Sequence, residues 1–372
     1  MTPLNIAIPG PVNLRDGLKR PELHAAFGHR DIAAHELYQR ISQRLLSIAG
    51  TTSDEYDCLL INGSGTNGME ACVRSLIRND GSSTFLTIGA FGELFAKIAQ
   101  GCDKTNHGLV QFKAGTAIDQ ATLEQDGRVA RAEILVFTHN ESSTGVTNDL
   151  AAICGWAAQQ GKQVIVDGVS IFAGASVNLS LTKPLAYITA TQKCLGLPAG
   201  LSIIFLRKGA ASHVIEQVPN RGYTTDLNRY LIAARKQEVL TTPNCSLWNQ
   251  LDAQLDYITE IEGIENRFAR HQQLQAQVLA WIAQQGLSLY PALADASPSV
   301  SAIRVPADFD LAGLKQRMRG QGYLMDVGYS GLNLELIQKY QYKTFRIPHM
   351  ADMTAEGLDQ FLTILERQIK DI

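Results

Sequence analysis

The sequence predicts an α/β protein: a large domain on a mostly parallel sheet with helices on both faces, followed by a smaller C-terminal α/β domain. Three observations carry that expectation. Between about residues 55 and 207, short apolar runs alternate with amphipathic stretches, as strands and helices do in turn. The runs are β-rich and almost continuously apolar, which suits strands covered on both faces. From residue 246 the texture changes to one long helical stretch followed by strand and helix again.

Six runs read as strands: "DCLLIN" (57–62), "STFLTIG" (83–89), "AEILVFT" (132–138), "KQVIVDG" (162–168), "LAYITAT" (185–191) and "LSIIFLR" (201–207). Helical patterns lie between them, among them "NGMEACVRSLIR" (67–78), "FGELFAKIAQ" (91–100) and "DLAAICGWAAQQ" (149–160). The stretch from "LWNQLDAQ" to "LAWIAQQ" is a long helix with a break expected near Gly263. It leads into "SLYPAL", "VSAIRVP", the helix-like "DLAGLKQRMRGQG", "YKTFRIP" and a last helix, "TAEGLDQFLTILERQIKDI". The expected division is an N-terminal segment 1–15 packing with the small domain, a large domain 16–245 and a small domain 246–372.

Composition excludes several classes. Hydrophobic residues at 45% and charged residues at 19% describe an ordinary globular chain, not a disordered one. A net charge of −3 gives no electrostatic reason to expect nucleic acid. No apolar run approaches the roughly 18 residues of a membrane span. The opening "MTPLNIAIPGPVNL" lacks a basic region followed by an apolar core, so no signal peptide is expected, and the closing "RQIKDI" carries no short address signal. The six cysteines, at 58, 72, 102, 154, 194 and 245, form no C-x-x-C pair and no zinc spacing. A reduced, cytoplasmic compartment and no metal are the expectation.

In open α/β sheets, sites lie beyond the carboxyl ends of the strands. Every polar cluster of interest follows one of the strand-like runs. "INGSGTNGMEA" satisfies G-x-G-x-x-G through Gly63, Gly65 and Gly68, between a strand and a helix. The P-loop version fails, because Met69 and Glu70 stand where Lys and Ser/Thr belong. Such a turn is either a plain strand–helix connection or a phosphate cradle at the positive end of a helix, with Ser64 and Thr66 as added donors. Asp167, closing "VIVD", is either a cap or ion-pair partner, or an acid that keeps a ring nitrogen protonated. Lys193 sits 26 residues on, in the small and apolar "ATQKCLGLPAG". It is either a loop lysine or a desolvated amine, whose lowered pKa suits Schiff-base chemistry with a carbonyl. A phosphate turn, a strand-end aspartate and a later strand-end lysine together satisfy three demands of pyridoxal phosphate.

At this point the chain resembles the class V aminotransferases, the group of alanine–glyoxylate, serine–pyruvate, 2-aminoethylphosphonate and phosphoserine aminotransferases. The likeness rests on "IPGPVNL", "FGHRDIAAHEL", "GSGTNGMEA", "THNESSTGV", "VDGVSIFAG", "ATQKCLGLPAGLS" and "FRIPHM", which follow the family's order along nearly the whole chain. Two departures stand out: Ala173 and Pro348 each replace a family glycine. The resemblance implies the aspartate-aminotransferase-like fold type I of PLP-dependent transferases, pyridoxal 5′-phosphate (PLP) as cofactor and a homodimer with shared active sites. It implies that Lys193 forms the Schiff base and moves the substrate proton, and that Asp167 pairs with the pyridine nitrogen. Ser64, Gly65, Thr66 and Gln192 would hold the phosphate, Phe91 would stack on the ring, and Ser142 would bond near the phenolic oxygen. Thr241 would reach the neighbouring subunit's phosphate, and Arg346 would take the substrate carboxylate by a bidentate fork. His139 and Glu141 lie in the family string without an assigned role. His29, Arg30, Arg235 and His349 are unplaced candidates for the outer pocket.

The expected activity is ping-pong transfer of an amino group from a small amino acid such as alanine or serine to glyoxylate or pyruvate. A 2-aminoethylphosphonate–pyruvate or phosphoserine aminotransferase is the alternative. A cysteine desulfurase would need a mobile C-terminal cysteine, and none follows Cys245. A nicotinamide dehydrogenase, supported only by Asp80 at the ribose-acid spacing, leaves Lys193, Asp167 and "THNESSTGV" unexplained. A non-enzymatic scaffold would be expected to lose Lys193 or Asp167, and both are present.

Overall fold

The computed structural model describes residues 4–370. The first residues of the 1–15 segment and the end of the closing "RQIKDI" lie outside the described residues.

A short strand β1 (Asn5–Ala7) comes first, then β2 (Tyr56–Gly63), β3 (Ser83–Thr87), β4 (Gly108–Gln111) and β5 (Ile134–Thr138). A hairpin of β6 (Asn140–Glu141) and β7 (Val146–Thr147) precedes β8 (Gln163–Asp167), β9 (Ala186–Ala190) and β10 (Gly200–Arg207). Seven of these form one sheet in the order β2-β10-β9-β8-β5-β3-β4. β9, β8, β5, β3 and β4 pair in parallel, whereas β10 is antiparallel to both its neighbours.

All six strand-like runs lie in this sheet. Successive side chains of a strand face opposite ways, and the cores divide accordingly. Leu60, Leu135, Phe137, Val164, Val166, Tyr187 and Phe205 pack on one face. Leu59, Ile61, Val136, Ile165, Ile188 and Ile204 pack on the other. Because neither face meets water, the runs read as continuously apolar. β4 escaped notice for the opposite reason: it is a four-residue edge strand with only Val110 buried.

The helix Gly65–Leu76 lies on the second face, burying Met69, Ala71, Cys72, Val73 and Leu76. Its approach is close enough that a Cβ on Gly68 would sit 2.1 Å from Ser202 Oγ. Glycine is therefore a packing requirement at this position.

The C-terminal part adds β11 (Ser288–Leu289), β12 (Val300–Pro306), β13 (Tyr323–Met325) and β14 (Tyr342–Pro348). β11, β12 and β14 form an antiparallel sheet. It shares a third core, including Val278, Trp281, Ile303, Phe345, Ile347 and Phe361, with the helices Ile264–Gln284 and Ala355–Lys370. The long helical stretch breaks at Gly263, whose φ of +82° is the left-handed value glycine tolerates. On its N-terminal side the helix Cys245–Asp256 sends Leu247, Trp248, Leu251 and Leu255 into the core of the large sheet. β1 pairs in parallel with β13, Asn5 opposite Tyr323. Among the described residues no helix is long and apolar enough to cross a membrane.

Candidate active site

Five chain segments converge at the carboxyl ends of the parallel strands. The sheet forces this, since each strand must turn there towards its next helix. Asp167 is the last residue of β8, and the loop carrying Ser142 follows β5 through the β6–β7 hairpin. Lys193 lies in the turn between β9 and β10, Phe91 opens the helix Ala90–Gly101 after β3, and Gly65 opens its helix after β2. Between them is a cavity of about 630 Å³, within the usual range for a small-molecule site. Gly65, Thr66, Phe91, Ser142, Asp167, Gln192, Lys193 and Arg346 all line it.

Three of these groups, Asp167, Lys193 and Arg346, are buried and ionisable. Burial pushes the Asp167 carboxyl up to about 7, countered by the Val169 N–H that donates to its Oδ1 at 2.9 Å. Burial, reinforced by the Arg346 charge, pulls the Lys193 amine down to about 8. The amine donates a hydrogen bond to the carbonyl oxygen of Pro9 and lies 5.9 Å from the centre of the Phe91 ring. Gly10 makes this possible. At its φ of +77° any Cβ would stand 2.7 Å from both Lys193 Cδ and the Gln192 carbonyl oxygen.

Arg346 comes from the C-terminal sheet. Its strand neighbours Phe345 and Ile347 point into the third core, so alternation turns Arg346 the other way, towards the large sheet. There Nη1 donates to the Ser142 carbonyl oxygen at 2.8 Å. The remaining fork is engaged as well: Nε and Nη2 donate to Asp326 Oδ1 and Oδ2, each at 2.8 Å.

Other expected residues lie around the cavity without lining it. Ser64 is the N-cap of the helix Gly65–Leu76, locked in a reciprocal pair with Asn67. Thr241 lies beside β2, its Oγ1 accepting from Asn62 Nδ2 at 3.3 Å. Glu141 is fully buried and accepts from the Phe91 and Gly92 N–H groups, at 3.0 and 3.1 Å, and from Ser143. It holds the start of the Phe91 helix, where a carboxylate meets the positive end of the dipole. His139 packs against Tyr187, its Nδ1 3.0 Å from the phenol oxygen, and burial lowers its pKa to about 4. His29 is half-buried and Arg30 exposed, away from the cavity lining. Arg235 pairs with Asp57, and His349 is buried against Ser301. Neither lines the pocket.

Residue-type reasoning missed Pro9, Asp326, Tyr329 and Lys315, all of which line the cavity. Pro9 and Gly10 sit in a P-G-P string the sequence does display. The other three carry no local signal. Among the described residues no group of three or more His, Cys, Asp or Glu side chains is arranged to hold a metal.

Residues 24–361 match the family model described as aminotransferase class-V, and the chain belongs to that family. A 2-aminoethylphosphonate–pyruvate transaminase of Pseudomonas fluorescens is 24% identical over 369 residues, covering 98% of this chain and 96% of its own. An (S)-ureidoglycine–glyoxylate transaminase of Bacillus subtilis is 25% identical over 343 residues, covering 86% and 81%. The crystal structure of an alanine–glyoxylate aminotransferase from Nostoc sp. superposes with a TM-score of 0.89 at 21% identity, covering 99% of this chain and 96% of that one. The fold is therefore the aspartate-aminotransferase-like fold of PLP enzymes, the activity is that of an aminotransferase, and PLP is the cofactor.

The cavity accommodates that group. Gly65 and Thr66 open a helix whose leading N–H groups have no intrahelical partner. The cradle is tight, since a Cβ on Gly65 would lie 2.6 Å from Val169 Cγ2. The Gln192 carboxamide oxygen, buried in the same cavity, has no hydrogen-bond partner. That oxygen accepts and so needs a donor; it is the amide's NH2 that can donate to a phosphate.

Proposed function

We propose that this site transfers an amino group from a small amino acid, such as alanine or serine, to pyruvate or glyoxylate. The observation that carries the reading is the shared cavity of a desolvated Lys193 amine and a buried strand-end Asp167, beside an N-terminal helical turn open to phosphate. When bound, PLP supplies an electron sink for charge developing at the substrate's Cα.

The chain's own groups do the rest. Lys193 holds the cofactor covalently between turnovers, and its Nζ takes the proton from Cα and returns it during transfer. With its pKa pulled from 10.5 to about 8, a larger share of the amine is unprotonated near neutral pH than in an ordinary lysine, as a base requires. The Asp167 carboxylate holds a proton on the ring nitrogen. Gly65, Thr66 and Gln192 bind the phosphate, with Ser64 shaping the turn. Phe91 would pack against the ring, and Ser142 would bond near its phenolic oxygen. Arg346 receives the carboxylate of donor and acceptor. Thr241 serves the phosphate of a second copy in a cytoplasmic homodimer with shared sites. The division we propose is a segment 1–15, a large unit 16–245 and a small unit 246–372 that brings Arg346 and whose leading helix, Cys245–Asp256, packs back on the core of the large sheet.

A 2-aminoethylphosphonate or phosphoserine donor is the second reading. It is favoured by the Pseudomonas relative's activity and by Lys315, a further cation on the cavity wall.

The test is chemical. Reduction of the PLP-loaded protein with borohydride, then digestion and mass spectrometry, should find the phosphopyridoxyl mass on Lys193. The Lys193→Ala variant should bind PLP weakly and fail to transaminate. Label on another lysine, or full-rate transamination by Lys193→Ala, refutes the reading. A panel of amino donors watched by absorbance selects between the two substrate classes.

A further inference from the structure

We propose that Asp326 is a specificity-determining residue that competes with the substrate's carboxylate for Arg346. The inference rests on the reading of Arg346 as the carboxylate clamp. A guanidinium offers five N–H donors in a fixed plane, and a carboxylate binds it best through two parallel bonds to one edge. That edge is taken: Nε and Nη2 reach the two Asp326 oxygens at 2.8 Å each. A third donor, on Nη1, is given to the Ser142 carbonyl oxygen.

Asp326 is fastened in place. Its Oδ1 also accepts from the Gly328 N–H at 2.7 Å, and its backbone forms an antiparallel bridge with Arg346 itself. The two side chains are only 8% and 16% exposed, so solvent screens the pair weakly. Both line the same cavity as Lys193. An incoming α-carboxylate therefore meets a guanidinium whose charge is already neutralised. It must share the remaining donors beside a like charge or break Asp326 away. A donor whose amino-bearing carbon has no carboxylate escapes that competition. Asp326 thereby sets the KM for α-amino and 2-oxo acids without touching the reacting atoms.

The holoenzyme tests this with Asp326→Asn and Asp326→Ala, both checked for folding by thermal melting, and with Asp326→Glu as the conservative variant. KM and kcat for pyruvate are measured alongside the Kd of propionate, a carboxylate with no amino group, by calorimetry. Two unit charges a few ångströms apart in a poorly screened site repel strongly, so Asn and Ala should lower pyruvate KM and propionate Kd by about tenfold or more. kcat should change little, and Glu should restore the high KM. The double variant Asp326→Asn/Arg346→Gln should lose the gain. If the folded Asn and Ala variants bind pyruvate and propionate no better, or worse, Asp326 supports Arg346 rather than competing with it, and the proposal falls. If Arg346→Gln alone leaves both values unchanged, the clamp reading itself fails, whatever Asp326 does.

Discussion

Asp167 makes the sharpest prediction, because its function and its stability cost have opposite signs. Burial raises its carboxyl from 3.8 to about 7 in the cofactor-free protein. A raised acid binds more protons folded than unfolded between those values, so stability falls as pH climbs from about 4 to 7, and the full cost is present above 7. At 1.36 kcal/mol per pKa unit the cost is on the order of 4 kcal/mol at pH 8, against about 2 at pH 5. Asp167→Asn removes the charge, and its side-chain oxygen can still accept from Val169 N–H. Urea unfolding of cofactor-stripped wild type and variant, at pH 5 and pH 8, is the assay. The variant's advantage should grow by about 2–3 kcal/mol between the two, while a penalty of about 1 kcal/mol for the unpaired amide lowers it equally at both pH values. With PLP restored the order inverts, and the variant should lose at least about a hundredfold in kcat, the scale of a lost proton-holding group. A stability difference that does not change with pH would refute the burial argument. Full activity in the variant would refute the role.

Four further outcomes follow from the same geometry. In cofactor-free protein, labelling of Lys193 by an amine-directed reagent should rise with a midpoint near pH 8, because burial and Arg346 disfavour the ammonium; a midpoint near the ordinary 10.5 contradicts this. Gly10→Ala should cost about 1–3 kcal/mol in thermal or urea unfolding and more in activity, since its Cβ falls 2.7 Å from Lys193 Cδ at a left-handed φ. Glu141→Gln should destabilise by about 1–3 kcal/mol and weaken PLP binding in a fluorescence titration, because Oε2 accepts from the Phe91 and Gly92 N–H groups and Oε1 from Ser143 N–H, and an amide has one acceptor oxygen for both sets. Arg267→Ala should cost about 3–5 kcal/mol in chemical denaturation. Its fully buried guanidinium ties Glu262 and Asp352 to the carbonyls of Ala173 and Cys194; removing it leaves both carbonyls without this donor and both acids short of a cation, with Glu262 keeping Arg270 and Asp352 keeping Gln254.

Much of the large sheet was legible because burial on both faces leaves an unmistakable mark on a strand. The runs ending in Asp167 and preceding Lys193 announce themselves as apolar, and the rule that sites gather at carboxyl ends makes their polar neighbours conspicuous. β4 was not legible: a four-residue edge strand has neither length nor full burial to set it apart from a loop. An N-terminal segment packing with the small domain was expected, but the edge it would join, β13, was illegible for another reason. The pairing joins Asn5 to Tyr323, and nothing in three residues of strand says which distant edge they will complete.

Arg346 and Asp326 mark where residue-type reasoning reaches its limit. A sequence declares which donors exist and, through strand alternation, which way Arg346 turns; it does not declare whether the donors are free. Asp326 follows a short strand and precedes a helix, a place where aspartate commonly caps or turns the chain, so its type carries no message. Its meaning arises from a backbone bridge to a residue twenty positions later, which lays a carboxylate along the edge a substrate would use. The same holds for the Pro9 carbonyl on Lys193, a backbone acceptor that no side-chain pattern can reveal. The residues proposed to perform chemistry stand out in the sequence because their types are rare in such surroundings. The residue proposed to set selectivity does not, because a common group acquires such a role only through what it touches.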